Sequence, residues 1–92
     1  MRQIINGKIY NTETMTVLAT RTCYNNGNYC GSDKLCLTCT GLLAMVHTSN
    51  GQDLYRSNYI EAITDDQLGT ALDGWELDEE EQRNLSGYLD EV

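Results

Sequence analysis

Four cysteines, Cys23, Cys30, Cys36 and Cys39, are the side chains of this 92-residue sequence best suited to chemistry. Four thiolates match the number and softness of donors that tetrahedral zinc prefers, and Cys36-x2-Cys39 is the usual chelating half of such a site. Cys23 and Cys30 are spaced more widely, and "NNGN" at 25–28 would supply a turn that brings Cys23 back toward Cys30. "CGS" at 30–32 resembles a zinc knuckle, in which backbone N–H groups bond the sulfur. Arg21 and Lys34 beside the ligands would offset the negative charge of a zinc tetrathiolate. A structural zinc would contribute folding free energy directly. The alternatives are two disulfides, for which four cysteines allow three pairings, or unbridged thiols.

Nucleophilic chemistry is poorly supplied. A cysteine nucleophile needs a base, and His47 is the one histidine. It lies at a strand end before a turn, where it reads as an edge residue or, as a minor variant, a fourth zinc ligand. "LDGWELDEEE" lacks the alternating ligands and central glycine of a calcium loop, and there is no glycine-rich phosphate loop. The expectation is a protein that is not an enzyme.

Composition explains why a staple would help. The chain has no phenylalanine and no proline, and its aromatics are six tyrosines and one tryptophan. A single domain of this size buries a small share of its surface, so its core is thin. No apolar run reaches the length of a signal-peptide core or a membrane span. The expectation is therefore a cytoplasmic protein with no membrane partner, a compartment that disfavours structural disulfides.

Charge is uneven: residues 61–92 hold eleven of the fourteen acids and only Arg83 of the six Lys and Arg residues. Direct nucleic-acid binding is disfavoured, because phosphate affinity comes mainly from Lys and Arg. A basic protein surface is the better partner. Asp73, Glu76, Asp78, Glu79, Glu80, Glu81 and Asp90 are the candidate contact residues, a negative face that would mimic a phosphate backbone.

The elements that must position these groups form an α+β domain spanning 1–92, β-rich over 1–63 and helical over 64–92. Asn6–Gly7 is a hairpin signal within 2–10, "NTET" (11–14) is turn-like, and "MTVLATRTC" (15–23) reads as a strand. The cysteine patch reads as a loop, and 35–48 as extended chain with a bulge at Gly41. Asn50–Gly51 is a second hairpin signal, with 52–63 as the returning strand. The sum is an antiparallel sheet of about four strands with a zinc-stapled loop. Thr64 and Gln67 then form a capping box before Leu68, Ala71, Leu72 and Trp75, with Gly74 ending the helix. Asp78 and Glu81 repeat the plan before Leu85, Tyr88, Leu89 and Val92. These give two short C-terminal helices packed on one sheet face.

The opening Ile5-Asn6-Gly7-Lys8-Ile9-Tyr10-Asn11-Thr12-Glu13-Thr14, followed later by Leu54-Tyr55-Arg56, resembles the pattern of short proteins from phages and mobile elements. With its cysteine cluster and the ending "ALDGWELDEEEQRNLSGYLDEV", the whole chain looks like a zinc-containing, phage-encoded anti-CRISPR protein of the type II class. The resemblance implies a non-enzymatic inhibitor that binds a CRISPR effector nuclease and blocks target-DNA loading or cleavage. Such nucleases hold nucleic acid in positively charged channels, which a negative face would suit. The alternative is a zinc-ribbon-like adaptor or regulatory module that recruits another protein.

Overall fold

The computed structural model describes residues 1–50 and 57–91. The described strands are β1 (Arg2–Ile5), β2 (Lys8–Asn11), β3 (Thr16–Asn25), β4 (Asn28–Leu37), β5 (Leu43–Ser49) and β6 (Tyr59–Ile63). Helices α1 (Asp65–Ala71) and α2 (Glu79–Leu85) follow. β1 and β2 form a hairpin, and β3-β4-β5-β6 form a sheet in which every neighbour pair is antiparallel.

Strand alternation sorts the apolar residues onto the two sides of the sheet. Leu35, Leu43, Met45 and Ile63 face α1 and α2, where they meet Leu68, Leu72, Leu85 and Trp75. Cys36, Ala44, Val46 and Ile60 face the other way and meet Tyr10, Ile5 and Met15 from the N-terminal segment. The result is three layers: hairpin, sheet, helices. Leu35, Ile60, Leu68 and Leu85 are the largest fully buried side chains, each worth about 1.5–3 kcal/mol of transfer free energy.

The segment expected to be a zinc loop is instead a long hairpin. Asn26 and Gly27, at φ 53° and 80°, make a two-residue turn whose twist suits antiparallel strands. From that turn, Asn25 pairs with Asn28 and Tyr24 with Tyr29, but Cys23 pairs with Gly31. Cys30 is the extra residue of a bulge, and buried Gly31 beside it takes φ 143°, a conformation that only glycine adopts without strain. Farther along, Val17 pairs with Cys36 and Ala19 with Leu35, so Leu18 is an extra residue on the other strand. This second bulge turns both Leu18 and Ala19 into the core under the helices.

The extended run expected over 35–48 is broken. Thr38 to Leu42 form a turn in which Thr38 N–H donates to the Leu42 carbonyl at 2.8 Å and Leu42 N–H donates to Thr38 Oγ1 at 2.9 Å. Gly41 sits there at φ 88°. The returning strand is found at β6, while 51–56, including Leu54-Tyr55-Arg56, and Val92 of the second apolar stripe lie outside the described residues.

Both sheet edges are occupied in part by side chains. On β6, Ile60 N–H donates to Gln3 Oε1 at 2.8 Å and the Ile60 carbonyl accepts from Gln3 Nε2 at 2.9 Å. On β3, Thr20 N–H donates to Glu81 Oε2 at 2.8 Å, and the Leu18 carbonyl accepts from Asn84 Nδ2 at 3.1 Å. Such contacts satisfy backbone groups that would otherwise invite another strand. The helix starts follow the expected caps. Thr64 N–H donates to the Gln67 side chain at 3.1 Å, and Asp78 and Glu81 bond each other's N–H groups at 2.8 and 3.1 Å. Tyr88, expected in the second apolar stripe, is instead exposed.

Candidate functional site

The four cysteines do not converge. Cys30 and Cys36 are six residues apart on β4, about 20 Å along an extended strand, whereas two sulfurs on one zinc lie within roughly 4.6 Å because each Zn–S bond is about 2.3 Å. Cys23 faces Gly31 across the hairpin, Cys36 is buried against the N-terminal hairpin, and Cys39 is exposed in the following turn. Among the described residues no group of three or more His, Cys, Asp or Glu side chains is arranged to hold a metal ion. The zinc expectation on Cys23, Cys30, Cys36 and Cys39 is therefore incorrect. No disulfide joins any of them. Burial pushes the Cys36 thiol above its ordinary value of 9.0, and nearby Lys34 acts in the opposite direction.

The helix-facing side of the sheet instead gathers a polar row. Arg21, Asp33, His47 and Tyr59 are directly opposite neighbours on β3, β4, β5 and β6. Asp33 is the hub, with its side chain only 7% exposed. Its Oδ2 accepts from Arg21 Nη2 at 3.2 Å and from the Cys23 thiol at 3.5 Å, and its Oδ1 lies 2.8 Å from His47 Nδ1. His47 Nε2 lies 3.2 Å from Glu61 Oε1. The imidazole stacks on Tyr59 with centroids 4.3 Å apart, and the Arg21 guanidinium sits 5.1 Å from the Trp75 ring centroid. Trp75 packs on the core as expected, although its Nε1 has no hydrogen-bond partner among the described residues.

Each ring nitrogen of His47 faces a carboxylate, and a protonated ring donates to both. The Cys23 thiol donates to Asp33. Arg21 pairs with Asp33, and Glu61 lies beside the other ring nitrogen of His47. Such a network ties four strands side to side. The row was missed in the sequence because its members are separated by turns, and His47 reads as an isolated edge residue.

The acidic candidates form a different region. Asp73, Glu76, Asp78, Glu79, Glu80 and Asp90 are exposed, on α2 or the segments flanking it. Glu81 is half-buried, with one oxygen on the Asp78 N–H and the other on the Thr20 N–H, so it joins helix to strand. Among the described residues no ion pair engages a carboxylate between 65 and 91. No described helix is long and apolar enough to cross a membrane.

No family model, curated protein or solved structure matches this chain. The anti-CRISPR resemblance is accordingly unsupported. The zinc centre it implied is absent from the described residues, and its opening motif is the β1–β2 hairpin with the 3-10 turn at Thr12–Thr14.

Proposed function

We propose that this chain is a non-enzymatic protein-binding module that docks its acidic helical layer on a basic protein surface. The observation that carries the reading is the run of exposed carboxylates from Asp73 to Glu80 and at Asp90, none of them engaged in an ion pair among the described residues. Solvated charges of one sign raise encounter rates with a complementary surface and exclude partners of like charge. The self-satisfied Asp33–His47–Glu61 network favours binding over catalysis. The reading names a class of partner, a positively charged protein surface.

The test compares the wild-type chain with a Glu79→Lys/Glu80→Lys variant, each immobilised and exposed to the same cell extract. Proteins retained at roughly 0.15 M salt and released by roughly 0.5 M salt, where screening shortens the Debye length, should be rich in lysine and arginine. They should be lost from the variant. A retained set that is identical for both chains would sink the proposal.

A further inference from the structure

The N-terminal hairpin, on the other side of the sheet from the helices, carries an open strand edge. Ile5 and Lys8 close its Asn6–Gly7 turn, with Ile4 opposite Ile9 as the next pair. In a two-residue hairpin the closing pair exchanges backbone hydrogen bonds and the next pair does not. The Ile9 N–H and carbonyl therefore point away from β1. Among the described residues β2 has no strand partner other than β1. Along this edge runs a groove of about 500 Å³ between β2 and the Thr38–Leu42 turn. It is lined by residues 8–11 and by none of β1, which places it on the open side.

Two properties say what fits there. Ile9 and Leu42 offer apolar surface, with Ile9 73% exposed. Among the described residues Lys8 is the only charged side chain lining the groove and no carboxylate lines it, although the chain carries a net charge of -8. A second copy pairing its own β2 antiparallel about Ile9 would set Tyr10 opposite Lys8 and bring no carboxylate to the ammonium.

We propose that this groove receives an extended peptide segment of a partner protein, added to β2 as a further strand, with an Asp or Glu side chain paired to Lys8. Backbone bonds to Ile9 supply affinity, and the Lys8 ammonium supplies preference, as in other cases of strand addition. β2 is four residues long, so the paired stretch is short and the affinity modest. The site is separate from the acidic layer, and Glu79→Lys/Glu80→Lys leaves it intact.

The experiment titrates the full chain with an array of blocked, alternating Val/Thr pentapeptides bearing Glu, Gln or Lys at the centre, and reads backbone amide shifts and hydrogen exchange. The Glu peptides should saturate at or below about 1 mM, slow exchange of the Ile9 N–H, and bind a few-fold more tightly than the Lys peptides. Lys8→Glu should invert that order. Ile9→Pro should abolish binding while the remaining amides keep folded positions, because proline is tolerated where a strand N–H faces outward. The inference is overturned by absence of saturation across the array, by equal binding of Glu and Lys peptides, by shifts confined to α1 and α2, or by self-association that protects Ile9 without peptide.

Discussion

The two ends of the helix-facing side of the sheet are made from the same four-stranded sheet yet solve burial differently. At one end, Leu37, Leu43 and Ile63 are cross-strand neighbours that need α1 and α2 to cover them. At the other, Arg21, Asp33, His47 and Tyr59 contact one another laterally, and among the described residues Trp75 reaches over Arg21. An apolar row draws its stability from the layer above it. A polar row draws it from hydrogen bonds within the row, so one hub residue matters more than the cover.

Mutations at the two ends should separate these modes. Leu35→Ala, in the adjoining apolar row under the helices and fully buried, should have the largest effect, a loss of about 2–5 kcal/mol in urea unfolding. A loss under 1 kcal/mol would mean the helices do not depend on the row beneath them. Asp33→Ala should cost less, about 2 kcal/mol, because Arg21 is half exposed and water can take over its bonds, whereas a fully buried partner would be stranded. A cycle with His47→Ala should give a coupling of about 1 kcal/mol between Asp33 and His47; additive losses would dissolve the row into independent contacts.

Thiol reactivity gives the smallest and most local contrast. Cys39 is exposed and should alkylate first, whereas Cys36 is buried and its thiol is held neutral. Its raised folded value also has a sign: as pH rises past 9.0 the unfolded chain ionises first, so stability falls. Cys36→Ala should flatten that decline in urea titrations, and an unchanged slope would place its cause elsewhere.

The helices were legible because their signals are local. Thr64 with Gln67 and Asp78 with Glu81 announce themselves within four residues, and the observed bonds follow. The N-terminal hairpin was legible from Asn6–Gly7, and part of the antiparallel sheet from the β-branched run of β3. The cysteine hairpin was not, because Asn, Gly, Ser and Asp between 25 and 33 are poor strand formers whose pairing is imposed by the Asn26–Gly27 turn and the neighbouring β5. The polar row requires three strand registers at once, and a slip of one residue in any of them moves a member to the opposite side. Nothing within a few residues of His47 records that Asp33 and Glu61 will bracket it.

The bulges at Cys30 and Leu18 behave like two opposite dislocations in a lattice. Outside them, the hairpin keeps the alignment dictated by its turn; between them, the pairs from Cys23–Gly31 to Ala19–Leu35 are displaced by one step. Without the first, the turn would bring Cys23 opposite Cys30 and Arg21 opposite Ser32. The displaced window therefore holds the thiols out of opposition and aligns Arg21 with Asp33, while the tip and the far end of the hairpin remain undisturbed.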